Sequence, residues 1–447
     1  MVQTLTAGDE SPRPQPDSRF PWQQLRNPES GPAPESALKP ATKSAAKSPP
    51  ESAAKSPPES APESAPESAP ESAPESAKVR LRAGSPAELL AIVPHLLGFV
   101  PQASLVVMGT EPPRGRVKVT LRYDLPDPPG AGVAADIAAH AVGIVGSQRL
   151  TAMTAIGYGT ETLVDPVAYA LRDEARQAGI ELPDVLRVED GRYWSYACGD
   201  EACCPAAGTP FDPAASPAAA AIAAAGFPVL ADRAAVAAQV APLGGIAAES
   251  MRQATRRAER HAGQLLGKVR KSARLGAARQ MIAAAGLNAV GALIATYRDG
   301  GRYATDYQLA WITVALRDLR VRDDAWARMD PEHLDAHRRL WIDATRRAQP
   351  GYVAAPASLL AFVAWQAGDG ALANVALDRA LADEPQYSMA LLLRQVITAG
   401  APPSLARLPM TPEEVAASYD EAEDDPDGDR DHDLDPDVQD LDPEGEH

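Results

Sequence analysis

The chain has 447 residues, 45% of them apolar, and a formal net charge of −17. Of its 60 acidic residues, 17 fall between 413 and 447 beside a single basic one, Arg430, so the other residues, with 42 basic and 43 acidic groups, are close to neutral. That placement excludes reading the low isoelectric point as a demand of the folded part for basic partners. About 330 residues remain once the biased ends are set aside, enough to bury a core without disulfides or metal.

Cys198, Cys203 and Cys204 lie within seven residues of one another, whereas a secreted framework spreads an even number of cysteines across the fold. The first 19 residues have no basic segment followed by an apolar one, so no signal peptide is expected. Apolar runs such as 217–231 are alanine-rich and broken by Gly226 and Pro228, and no membrane span is expected. A cytoplasmic protein is the resulting expectation.

Residues 1–77 are rich in Pro, Glu, Ser and Ala, and from Pro62 the tetrapeptide Pro-Glu-Ser-Ala repeats four times without a break. A proline at every fourth position removes helix donors, and the small polar residues between cannot repay ordering entropy. The expectation is a disordered spacer, with a docking motif for a proline-recognising partner as the alternative.

Folded structure is expected from residue 78. Residues 78–82 alternate as a strand; Gly84-Ser85-Pro86 then supplies a helix start with Ser85 as N-cap, and Pro94 should kink or end that helix. Residues 104–108 and 117–123, around the Pro112–Gly115 turn, read as a hairpin. There follow a helix over 132–145, a strand over 151–158 and a helix near 165–178. A second hairpin, 185–188 with 193–197, turns at Asp190-Gly191. Strands alternating with helices, some joined as hairpins, predict an α/β part over 78–213 with a mixed sheet.

Beyond Pro213 no strand is expected. Alanine-rich stretches at 214–225 and 232–241, then 247–275, 306–319, 334–347 and three helices between 355 and 398, predict an all-α part over 214–410. Gly368, Ala373, Ala380 and Pro385 stand at the offsets of a tetratricopeptide-like helix pair. A disordered acidic tail is expected over 411–447.

Residues 88–101 (ELLAIVPHLLGFVP), Leu121-Arg122-Tyr123-Asp124-Leu125-Pro126 and Tyr193-Trp194-Ser195-Tyr196-Ala197-Cys198, with Cys203-Cys204-Pro205 and Gly208-Thr209-Pro210, carry a resemblance. In that order they resemble a family of actinobacterial proteins classified only as a domain of unknown function, over most of 78–400. The resemblance implies no reaction, cofactor or partner; it marks segments and leaves their purpose open.

Three sets of residues are candidate sites. The thiols of Cys198, Cys203 and Cys204 could bind zinc if a carboxylate such as Asp200 or Asp212 completed the set; a redox or nucleophilic cysteine and small apolar burial are the alternatives. Arg122 and Asp124 share one strand face at a strand end, as a positioned pair or as an ion pair ahead of Pro126, and Tyr196 is grouped with them as a binding residue. The helix over 247–275 gathers Arg252, Arg256, Arg257, Arg260, Lys268, Arg270, Lys271 and Arg274; with no stacking aromatics or recognised motif beside it, a solvated face is expected rather than nucleic-acid contact. His95 reads as a helix-terminal hydrogen-bonding residue. No Ser-His-Asp order, phosphate loop or dinucleotide fingerprint stands out. The function expected is a non-enzymatic binding or regulatory module with a protein or small-ligand partner, the alternative being an enzyme or metal protein built on the cysteine loop or the Arg122/Asp124 strand end.

Overall fold

The computed structural model describes residues 83–112, 115–127, 130–224, 229–270, 275–301, 304–403 and 410–424. The expected strand over 78–82, the spacer and the tail beyond 424 lie outside them. A mixed six-stranded sheet comes first, with helices on both faces, and an all-helical part follows.

Helix α1 (Pro86–Leu97) starts as expected: the Glu88 amide donates to Ser85 Oγ at 3.2 Å, and Pro86 fills the first position. It runs through Pro94 and closes at Gly98, whose φ of 76° a side chain would resist. The strands are β1 (Ser104–Glu111), β2 (Arg116–Asp124), β3 (Ala152–Tyr158), β4 (Val185–Glu189), β5 (Arg192–Ser195) and β6 (Thr209–Pro210), ordered β2-β1-β3-β4-β5-β6. Among the described strands, only β3 and β4 are parallel neighbours. Their crossover is α3 (Glu161–Ala178), which packs with α2 (Ala131–Ser147). Helix α3 begins a turn before the expected start because Thr160 is its N-cap and Pro166 is carried inside the helix.

Side-chain alternation explains both faces. Leu105 and Val107 of β1 join Met153 and Ala155 under α2 and α3, while Val106 and Met108 join Ile156, Tyr158, Leu186 and Val188 under α1. A strand covered on both faces reads as a continuous apolar run, as 104–108 does. The Asp190-Gly191 turn has φ values of 47° and 72°, the two positive angles that a two-residue hairpin turn requires.

The helical part holds α4 (Pro217–Ala224), α5 (Arg233–Ala238), α6 (Gly245–Arg270), α7 (Leu275–Arg298), α8 (Asp306–Ala315), α9 (Leu319–Ala327), α10 (Leu334–Arg347), α11 (Ala354–Gln366), α12 (Gly370–Asp383) and α13 (Ser388–Thr398). Helices α7 and α9 were not expected from the sequence. The stretch Gln280–Arg298 is long and apolar enough by composition to cross a membrane, but Val290, Leu293, Ile294 and Tyr297 are buried in the helical core. Helices α11 and α12 form the expected pair, with Gly368 at φ 80° in the turn and Ala373 and Ala380 fully buried.

Two further findings concern how the parts meet and where the tail begins. Leu230 bridges to Phe99, which itself belongs to the helical core, and the Gln148 side chain donates to the Gly400 carbonyl, so the α/β and helical parts are stitched together. The expected unstructured tail begins instead with a helix, α14 (Pro412–Asp424). Thr411 and Glu414 cap it reciprocally at 2.7 and 3.2 Å, and Val415 is buried. It packs on α9, where the Tyr419 hydroxyl donates to Asp323 at 2.7 Å and Arg320 pairs with Asp420 at 2.8 Å. The tail's described part therefore rests on α9 and not on the basic helix α6.

Candidate functional site

Ser104 of β1 stands opposite both Asp124 and Tyr158, and Tyr158 stands opposite Val188, so these residues mark one end of the sheet. There the chain leaves β3 through Gly157-Tyr158-Gly159-Thr160 into α3. A Cβ at Gly157 would stand 2.2 Å from Val164 Cγ1, and one at Gly159 would stand 2.8 Å from Leu163 Cδ2. The two glycines let the first turn of α3 close onto the strand, and the Gly159 amide donates to the Val188 carbonyl at 2.9 Å.

Outside this end lies a cleft of about 800 Å³. Its walls are Leu90, Ala91, Pro94 and His95 of α1, the segment 100–103, the β3–α3 turn, the tip of the second hairpin (Val188 to Gly191), Phe211, and Ala219, Ala220 and Ala223 of α4. Most of that lining is apolar. Tyr158 is 8% exposed, and its hydroxyl, buried in the wall, has no hydrogen-bond partner among the described residues. Burial holds its pKa above the usual phenol value, so the hydroxyl stays protonated and able to donate. The ends of parallel strands are where open α/β sheets bind ligands.

Arg122 and Asp124 form the ion pair their spacing suggests, at 2.6 Å, on the edge strand β2, with the guanidinium 5.3 Å from the Phe99 ring centroid. Tyr196 does not join them. Strands β1, β3 and β4 intervene, and Tyr196 lies beyond the opposite end of β4, its amide donating to the Val185 carbonyl at 3.0 Å. Its hydroxyl donates to Asp165, and its pKa is raised by burial first and by that carboxylate second.

The three cysteines do converge: their sulfurs all lie within 4.8 Å of one another, without a disulfide. The Asp200 carbonyl accepts the Cys203 and Cys204 amides at 3.1 and 2.7 Å. Neither Asp200 nor Asp212, the carboxylates named as able to complete the set, has an oxygen within that cluster; Asp200 Oδ1 accepts the Ala202 amide and Asp212 Oδ1 the Ala214 amide, each at 2.9 Å. A backbone hydrogen bond involving Asp200, then one from Cys204, lowers the Cys198 pKa, while Cys204 is pushed up to about 12, mainly by its bond to Cys198. On α6, Arg252 pairs with Glu249 and Arg257 lies over Tyr307, 5.6 Å from its centroid. Lys271 and Arg274 and the side chains of Lys268 and Arg270 lie outside the described residues.

Tyr158 and the cleft are not among the features singled out from the sequence. The available signal was a tyrosine flanked by glycines between an apolar strand and a helix.

A mixed α/β sheet with a strand-end cleft, continued by a helical part, is the class that fold and site define. Residues 86–404 match the family described as a domain of unknown function (DUF4192), and the chain belongs to that family. No curated protein and no solved structure matches the chain.

Proposed function

We propose that this protein is a cytosolic, non-enzymatic binding module whose cleft at the ends of β3 and β4 takes a small, mainly apolar molecule with an uncharged hydrogen-bond acceptor. The observation that carries this reading is the Tyr158 hydroxyl, buried without a partner in the wall of an apolar cleft. Leaving such a group unsatisfied costs about 1–3 kcal/mol, a cost that an acceptor entering the cleft removes. The cleft's volume falls in the range of small-molecule sites. Thr160, the N-cap of α3, also lines it and makes no side-chain capping bond, so the helix N-terminus adds to the preference for an acceptor. Asp190 at the cleft, where Glu189 is already paired with Arg187 at 2.5 Å, opposes an anion, which favours a carbonyl over a carboxylate.

Ligand-observed NMR tests this with aryl ketones and amides beside matching aryl carboxylates, on the full chain and on Ala220→Trp, whose indole fills the cleft from an exposed position. Neutral carbonyl fragments should bind the natural chain and lose binding in Ala220→Trp. They should weaken several-fold in Tyr158→Phe, as a hydrogen bond worth about 1 kcal/mol requires. Without ligand, Tyr158→Phe should be about 1 kcal/mol more stable in denaturant, because an unsatisfied buried hydroxyl is gone. Fragments that bind equally well to the plugged variant would overturn the reading.

A further inference from the structure

We propose that Cys198, Cys203 and Cys204 form a zinc site with three thiolate ligands and an open fourth position. It lies beyond the end of β4 opposite to the cleft and does not depend on the cleft's function. Tetrahedral zinc with bonds of about 2.3 Å sets its sulfurs roughly 3.8 Å apart, and these three are already mutually within 4.8 Å.

What brings them together is a loop whose shape is held by the protein itself. At its start, Ser195 Oγ accepts the Cys198 amide at 2.9 Å and donates to Asp184 at 2.6 Å, and Asp184 in turn accepts the Ala197 amide at 3.0 Å. In the middle, the Asp200 carbonyl turns the chain so that Cys203 and Cys204 face back toward Cys198. At its end, Trp194 Nε1 donates to the Ala206 carbonyl at 3.0 Å, and Arg192 donates to those of Ala207 and Gly208 at 3.2 and 2.9 Å. Gly208 packs so closely on Trp194 that a Cβ there would stand 2.6 Å from the ring, and the Arg187 guanidinium lies over the indole, 3.8 Å from its ring centroid. Two strands' side chains thus fix both ends of the loop, and a preformed donor set spares a metal the ordering entropy.

Small apolar burial does not explain these cysteines, since Cys203 is exposed and the other two are half-buried. Soft thiolates select a thiophilic ion over calcium or magnesium. With no oxygen of Asp200 or Asp212 inside the cluster, a water or an external donor completes the tetrahedron. Three protein ligands with a free position is the arrangement of zinc sites that exchange ligands rather than of purely structural ones.

Cobalt titration of the reduced full chain tests the site. One equivalent should produce a thiolate-to-cobalt charge-transfer band with the visible bands of tetrahedral cobalt, and one equivalent of zinc should abolish both. Cys198→Ser, Cys203→Ser and Cys204→Ser should each weaken cobalt binding at least tenfold with unchanged circular dichroism, while Asp212→Asn binds as the natural chain does. In the natural chain, zinc should protect all three thiols from alkylation, a readout that needs no variant. Absence of the charge-transfer band, undiminished cobalt affinity in any one of the three serine variants, or unprotected thiols at saturating zinc would each overturn the proposal.

Discussion

His337 of α10 is 1% exposed, its Nε2 accepts the Asp330 amide at 3.4 Å, and its Nδ1 is buried without a partner among the described residues. Burial is the main cause that lowers its pKa to about 4; Asp330 raises it, and Arg298 and His333 lower it further. In the unfolded chain the group titrates near 6.5. Between those values the unfolded state binds the extra proton, so stability is fully present above pH 6.5 and is lost as pH falls toward 4. Over pH 7.5 to 4.5 the two pKa values give a loss of about 2.5 kcal/mol from this residue alone. His337→Gln keeps an acceptor near Nε2 but cannot titrate. Urea unfolding of both proteins at the two pH values isolates the term, because the carboxylates that also protonate are common to both. The natural chain should lose about 2.5 kcal/mol more than the variant. Equal losses would refute the claim that His337 is neutral in the fold.

Gly157→Ala, which drives a Cβ into Val164, should cost about 1–3 kcal/mol, and Val164→Ala in the same chain should recover part of it; strict additivity in chemical denaturation would contradict the contact. Val415→Asp should release α14 from α9 and turn slow amide exchange over Val415–Tyr419 into fast exchange, and unchanged protection would show that the helix does not depend on this docking.

Where signals are local, the sequence was a good guide. The apolar run at 104–108, the Asp190-Gly191 turn and the Ser85-Pro86 helix start each depend on neighbours in the chain, and each is found where it was read. Convergence of the cysteines was legible for the same reason. Helix α7 was not, because Gly276, Gly286 and Gly291 lower its helix propensity. Tertiary packing reverses that penalty at Gly286, where a Cβ would stand 2.8 Å from Ala315 Cβ. Grouping Tyr196 with Arg122 and Asp124 failed because strand order is not written in any one segment. The cleft was invisible for a related reason: its walls come from residues 90–95, 100–103, 158–160, 188–191, 211–223 and 229, which only the folded topology brings together.

The docking of α14 also has a consequence for competition. A segment tethered to its own binding surface competes at an effective concentration in the millimolar range. Asp420 already occupies Arg320, and Tyr419 engages Asp323, the residue that pairs with Arg322 at 2.7 Å. Anything that approaches this side of α9 must displace a resident peptide, so a partner of micromolar intrinsic affinity would register on the full chain as a far weaker one.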